Sequence, residues 1–344
     1  MLLPHPAGAL VTTQTAVERS VVINVRDRGA RGNGNHDDTV AIQAAIDGLP
    51  ASGGTVLVPA GRYVIDPLRS VRLRSHVHLQ LAPGARLQAK PNAAERAYVV
   101  LVQGVSDVEI SGGEIVGDRD AHLGRAGEWG HGLMIRGSSR VTVRDIRISR
   151  CWGDGISVGG VKQGGGEGIP STDILIQRVT CRGNRRQGLT IGGSRRVRVL
   201  DCEFSDTHGT KPEYGIDIEP DSPGRAQDVR IERCILRGNR GGGIQVYRRV
   251  SNVSIRNCTI EGNGYGIYVM DASVGVITGN RIGGNAHMGV ALRGQSNDYR
   301  IGSNSFASNN RRAMLSTKST HAVGGHIQVA KDARNITISG NRYD

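Results

Sequence analysis

The segments HGLMI (131–135), DGISV (154–158), QGLTI (187–191), YGIDI (214–218), GGIQV (242–246), YGIYV (265–269) and MGVAL (288–292) align without gaps as x-Gly-apolar-x-apolar. Their starts are separated by 23, 33, 27, 28, 23 and 23 residues. A recurring minimum with longer steps where loops such as VKQGGGEGIPSTD intrude is the signature of a solenoid in which each turn adds one strand to a growing sheet. Between these segments runs a second element: VTVRDIRI (141–148), ILIQRVTC (174–181), VRVLDCEF (197–204), VRIERCIL (229–236) and VSIRNCTI (253–260). Each alternates apolar and polar residues, which places one face inside and the other in water. Turns of RGN at 182–184 and 237–239 and EGN at 261–263 follow, and their Asn residues can stack as hydrogen-bonded ladders. The physical result is a parallel β-helix, an all-β solenoid with ~4.8 Å between coils.

The composition agrees. Of 344 residues, 50 are Gly, against roughly 24 at ordinary usage. Only 3% are aromatic, so the core is built of Val, Ile and Leu. Residues 1–20 read as an N-terminal arm and 21–344 as a single β-helix domain. The segment DDTVAIQAAIDGL (37–49) reads as a capping helix with Asp37 or Asp38 at its N-terminus and Val40, Ile42, Ala45, Ile46 and Leu49 on the apolar face. It would cover the first open sheet edge. At the other end, HIQVAKDARNITISGNRYD is still in repeat mode and shows no cap, so the expectation is either that the sequence is cut short there or that another copy covers that end in a homo-oligomer.

Lys and Arg outnumber Asp and Glu by 44 to 31, a balance that favours an acidic partner. No basic run or nucleic-acid-binding motif is present, so nucleic acid is not expected. No stretch approaches the ~20 apolar residues of a membrane span, and the first twenty residues lack the pattern of a secretory signal. The five Cys (151, 181, 202, 234, 258) have no zinc spacing and read as buried small hydrophobes. The loop GARGNG (29–34) has the wrong glycine spacing for a dinucleotide turn, and Asp37 and Asp38 would repel a pyrophosphate at the helix start.

The run INVRDRGARGNGNHDDTVAIQAAIDGLPASGGTVLVPAGRYVI resembles the opening of the pectate-lyase-like superfamily of right-handed parallel β-helices, which includes polygalacturonases, phage tailspikes and mannuronan epimerases. The resemblance covers nearly the whole chain. It implies a carbohydrate polymer as substrate and an extracellular or periplasmic location, without fixing the chemistry.

Alternation sorts each repeat, with the first, fourth and sixth positions outward and the third and fifth inward. The outward positions gather the carboxylates Asp154, Asp217 and Glu219, with Tyr247, Tyr265 and Tyr268 on the following coils as rings for a sugar face. Gln245 lies in the same columns. Asp217 and Glu219, two apart on one strand, have α-carbons roughly 6.5–7 Å apart, a spacing that serves glycoside hydrolysis. WGDGISV resembles the polygalacturonase stretch N-T-D-G-I-D-I and sets Asp154 on its catalytic aspartate. The next coil carries Arg186-Gln187 where that family has paired aspartates, and Tyr214 where it has a histidine. GHG at 130–132 copies the family's histidine motif one coil early, which makes His131 groove-lining. YGIDIE resembles the epimerase motif Tyr-Gly-x-Asp-Pro-His through Tyr214 and Asp217, with Glu219 in place of the histidine.

These readings give a glycoside hydrolase with Asp154, Asp217, Glu219 and Tyr214 as catalytic residues. Arg186, Gln187, His131, Trp152, Gln245, Tyr247, Tyr265, Tyr268 and His208 are expected to bind substrate. The alternatives are a lyase or C5-epimerase on a uronate polymer, in which Tyr214 or Arg186 handles the C5 proton, and a noncatalytic carbohydrate-binding β-helix. No cofactor is expected; calcium held by Asp154, Asp217 and Glu219 is the alternative.

Overall fold

The computed structural model describes residues 21–164, 166–311 and 319–344; the expected arm 1–20 lies outside them. Three sheets wind along one axis, with twelve, twelve and eleven strands among the described residues. One coil shows the plan. Val250–Arg256 lies in the first sheet, Thr259–Glu261 in the second and Tyr265–Met270 in the third, after which Ser273–Thr278 returns to the first.

The seven x-Gly-apolar segments stack in the register that their alignment implies. Leu133, Ile156, Leu189, Ile216, Ile244, Ile267 and Val290 pair successively in the third sheet. Their fourth positions are in register too, so Thr190 pairs with Asp217 and Asp217 with Gln245.

The second repeated element is two strands, not one. VTVRDIRI divides into Ser139–Arg144 of the first sheet and Arg147–Ser149 of the second. The chain turns at Asp145, whose φ is 54°, and the same left-handed corner recurs at Arg178, Asp201, Arg233 and Asn257. Alternating charge holds this corner, since Arg178 donates to both carboxylate oxygens of Asp145 and Arg233 to both of Asp201. A second left-handed column near the start of the first-sheet strands is tied likewise, Arg140 to Asp107 and Arg196 to Asp173.

Asn ladders close the turn into the third sheet. Asn239 donates to Asn263 at 2.9 Å, Asn263 to Asn285 at 3.2 Å and Asn285 to Asn309 at 2.8 Å, all buried. The glycine that follows is required by close approach. A Cβ on Gly188 would stand 2.5 Å from the Gly215 carbonyl oxygen and 2.9 Å from Phe204. Gly132, Gly155, Gly215, Gly243, Gly266 and Gly289 meet comparable contacts under 3.0 Å. The second position of the repeat therefore faces inward as well as the third, and the first position is largely covered, with His131, Asp154, Gln187, Tyr214 and Met288 all buried, a correction to its expected outward face.

The helix Thr39–Asp47 buries Ile42, Ala45 and Ile46, with Leu49 beside them, against the N-terminal coils. Val40 is 54% exposed, a correction to the expected apolar face, because it falls on the solvent side of the first turn. Asp37 accepts from the amide and hydroxyl of Thr39. Asp38 instead accepts from the amides of Arg31 and Gly32, so a carboxylate organises the GARGNG loop. At the C-terminal side, Thr337–Ser339 and Arg342–Tyr343 continue the parallel repeat, whereas Ser319–Val323 joins the third sheet antiparallel to Ile327–Ala330. Among the described residues no helix is long and apolar enough to cross a membrane.

Candidate active site

On the outer face of the third sheet a groove is lined by His131, Asp154, Arg186, Thr190, Asp217 and Glu219. One wall is a hairpin bridged at Val161 and Ile169, tied by Glu167 to Arg225 at 2.9 Å. Trp129 and Arg96 also line the groove, with the guanidinium 4.9 Å from the ring centre.

The first and fourth columns meet here because the register brings three coils together. Asp154 accepts from the Thr190 hydroxyl at 2.9 Å and from Arg186 Nη1 at 3.2 and 3.3 Å. Its backbone amide donates to His131 Nδ1 at 3.0 Å. Arg186 also approaches Glu128 at 3.4 Å. Gln187 bridges the next coil, donating to Asp217 Oδ2 at 2.7 Å and accepting from the Tyr214 amide at 2.7 Å. Asp217 Oδ1 is buried and lacks a protein partner.

These contacts set the protonation. Burial, and then the charges of Glu219 and Asp154, push the Asp217 carboxyl well above the usual carboxylate range, against the opposing pull of Arg186. Burial lowers His131 to about 4, so its ring is neutral at pH 7. Since Nδ1 accepts the Asp154 amide, Nε2 carries the hydrogen. Arg186 is pushed above its ordinary value by Asp154 and Glu128, which outweigh its burial. Tyr214 is raised by burial and by Asp217.

The structure thus assembles Asp154, Asp217, Glu219, Arg186 and His131 in one groove. Gln187 is wholly buried and holds Asp217 rather than facing outward. Tyr214 is 5% exposed and lies across Gly242, where a Cβ would stand 2.3 Å from its ring. Gln245 is the register neighbour of Asp217, and Tyr268 that of Gln245. Tyr265 meets Tyr268 at 5.3 Å and His287 at 4.7 Å, while Tyr247 carries Arg248 on its ring.

Gln245, Tyr247, Tyr265 and Tyr268, on the following coils, are not among the residues that line the groove, and neither are Trp152 and His208. Trp152 has both faces occupied, by His122 at 4.0 Å and the Arg185 guanidinium at 3.7 Å, and cannot offer them to a sugar. His208 bonds to the Asp206 carbonyl on an exposed turn outside the groove lining. Sequence reasoning passed over Trp129, Arg96, Arg136 and the Gly159-Gly160 and Gly192-Gly193 pairs, all of which line the groove. Arg136 and both glycine pairs stand at the ends of the repeat segments. Arg96 lies on a coil without the glycine repeat, and its pairing with Trp129 appears only in the register.

The soft donors lie elsewhere. All five thiols are buried and free, and those of Cys202, Cys234 and Cys258 donate to backbone carbonyls. Burial pushes the Cys151 and Cys181 thiols up. Among the described residues no three His, Cys, Asp or Glu side chains gather where they could hold a metal ion.

A family model described as rhamnogalacturonase A/epimerase, pectate lyase-like, matches residues 22–104. Protein YclG of Bacillus subtilis is 31% identical over 268 residues, 70% of this chain and 45% of YclG, so the chain spans less than half of that relative. The A-module of the Azotobacter vinelandii mannuronan C-5 epimerase AlgE4 superposes with a TM-score of 0.64 at 19% identity, covering 93% of this chain and 97% of the module. The tailspike gp49 of the Acinetobacter baumannii bacteriophage Fri1, a capsular polysaccharide depolymerase, gives 0.61 at 15% identity over 94% of this chain and 62% of the tailspike. With a second model matching residues 106–343, the chain is a pectate-lyase-like parallel β-helix and belongs to the family described as periplasmic copper-binding protein (NosD).

Proposed function

We propose that this chain hydrolyses glycosidic bonds of a polysaccharide held in the third-sheet groove. The observation that carries the reading is the Asp217–Glu219 pair, one carboxyl buried and proton-retaining, its neighbour half-buried and without a basic partner among the described residues. Asp217 then donates its proton to the leaving oxygen, and the Asp217–Glu219 pair, whose carboxyls are hydrogen-bond neighbours, regains one from the attacking water. Arg186 pairs with Asp154 beside the reacting carbon, and Gln187 fixes the orientation of Asp217. The polysaccharide-acting epimerase and tailspike with the same fold support the substrate class.

Elimination or epimerisation is the second reading, and the state of its two candidate bases weighs against it. Arg186 is pinned by two carboxylates that hold its proton, and the Tyr214 phenol is buried under a raised pKa. Copper, which the family's description names, does not fit the described donors: the thiols sit inside the coil stack and His131 Nδ1 is occupied by a backbone amide.

The test is incubation with a panel of neutral and acidic polysaccharides, following reducing ends and the ultraviolet absorbance of unsaturated uronates together. Reducing ends without absorbance are expected, reduced about 100-fold or more in Asp217→Asn and Glu219→Gln with binding intact. Absorbance rising in step, or full activity in both variants, would overturn the assignment.

A further inference from the structure

The first sheet carries a hollow of its own, on a different sheet from the groove. It has a volume of about 570 Å³ and lies over four consecutive strands, Ser171–Gln177, Ser194–Leu200, Ala226–Glu232 and Val250–Arg256. Its rim is the left-handed column of Asp173, Arg196, Asp228 and Asn252. Signs alternate along that column, from Asp107 through Arg140, Asp173 and Arg196 to Asp228. Both oxygens of Asp173 accept from Arg196, at 2.7 and 2.8 Å, and Asp228 accepts from Asn252 at 2.6 Å. The carboxylates of the rim are therefore already matched.

Alternation fails on the floor. Arg198 and Arg230 are register partners on adjacent strands, about 4.8 Å apart at the backbone, and both are exposed. Like charges directly opposite one another in a sheet are destabilising. The rungs on either side, Leu175 and Ser254, supply no counter-charge. Arg256 lies one coil on from Arg230 and two residues along, its Nε donating to the Ser254 hydroxyl at 2.6 Å. Glu232 answers only part of this charge, since it accepts from Arg230 Nε at 2.6 Å and also stands 3.5 Å from Arg233. Arg198 and Arg256 have no carboxylate partner among the described residues.

We propose that this hollow binds a tetrahedral oxyanion, the phosphate or sulfate group of a ligand, through Arg198, Arg230 and Arg256. Such a group presents three or more oxygens and accepts from several guanidiniums at once, whereas a carboxylate is filled by a single guanidinium fork. It also offsets the repulsion between the two register partners, so its binding stabilises the folded chain. The site stands on the first sheet and the Asp217–Glu219 pair opens on the third, so a ligand here leaves the groove free. The proposal does not depend on what the groove does.

Two probes test it on the full chain. The first is inorganic phosphate, followed by the melting temperature; the second is dextran sulfate beside unsulfated dextran, followed by isothermal titration. Arg198 has no protein partner to lose, so Arg198→Gln is expected to melt no lower than the wild type when neither probe is present. Phosphate is expected to raise the wild-type melting temperature by about 2 °C or more beyond its effect on Arg198→Gln. Dextran sulfate is expected to bind about ten-fold or more tighter than dextran, and Arg198→Gln with Arg256→Gln to erase most of that difference. Arg342→Gln, which removes an exposed charge from the second sheet, is expected to leave both readouts as they are. A response to phosphate assigns the site to a free anion, and a response to dextran sulfate alone assigns it to groups borne on a polymer. Equal losses from Arg198→Gln and Arg342→Gln would overturn the site in favour of diffuse surface charge. Responses to both probes that are the same in the wild type and the arginine variants, or no response to either, would overturn it outright.

Discussion

His131 shows how one buried side chain ties the site to pH. Its ring is held neutral by burial, with Nδ1 committed to the Asp154 amide. Between about pH 6.5 and 4 the unfolded chain takes up a proton on this residue that the folded chain refuses, so stability rises with pH across that window. The full effect is up to about 3 kcal/mol, lost progressively on acidification and levelling off below pH 4. Urea midpoints measured from pH 7 to pH 4 should fall steeply in the wild type and less in His131→Gln. A second residue-scale expectation concerns Gln187, which satisfies the Tyr214 amide and Asp217 Oδ2 together. Gln187→Leu leaves both unpaired in the interior, a loss of about 1–3 kcal/mol per orphaned group. It should also weaken kcat more than KM, because Asp217 loses its fixed orientation while the groove surface stays intact.

The elements repeat one solution coil after coil: a left-handed corner, an Asn turn, and a glycine where the backbone nearly touches the coil beside it. Gly188→Ala should be destabilising by about 1–3 kcal/mol, because its Cβ meets a backbone carbonyl that has nowhere to move. Thermal denaturation beside Gly159→Ala, where the space is open, checks the contrast. Asn263→Ala removes bonds to both neighbouring rungs and to the Leu236 carbonyl, and should cost more than the loss of an exposed corner pair such as Arg178–Asp145. Asp145 is held at about 2 by Arg178, so that pair contributes above the unfolded carboxylate pKa and disappears as pH falls toward 2.

At the scale of the whole molecule, one apolar core runs unbroken from Val25 to Val329 and joins every coil to the next. The helix Thr39–Asp47 is part of it through Ile42 and Ile46, both fully buried. Ile42→Asp places a charge without a partner in that core, and should lower stability by several kcal/mol. Because the core is continuous, the loss should move a single transition. Tryptophan fluorescence from Trp129 and Trp152 and far-ultraviolet circular dichroism should shift together in a thermal melt, and separate transitions would show that the N-terminal coils unfold alone.

Period and register were legible in the chain because a solenoid contacts only its neighbours: the spacing of the x-Gly-apolar segments is itself the strand pairing. The same local logic gave the coincidence of Asp154, Asp217 and Glu219, the buried cysteines and the Asn ladders. What alternation could not reveal was the close approach at the glycine, where positions two and three both face inward, and the burial of Asp154, Gln187 and Tyr214, which lie covered rather than exposed. Nor could it choose between the tryptophans. Trp152 is enclosed by a histidine and an arginine from loops distant in sequence, and Trp129 is set beside Arg96 by a coil without the repeat. The backbone path follows from local pattern repeated along one axis, whereas protonation and access depend on how loops and side chains from different coils desolvate one another, which only the tertiary structure decides.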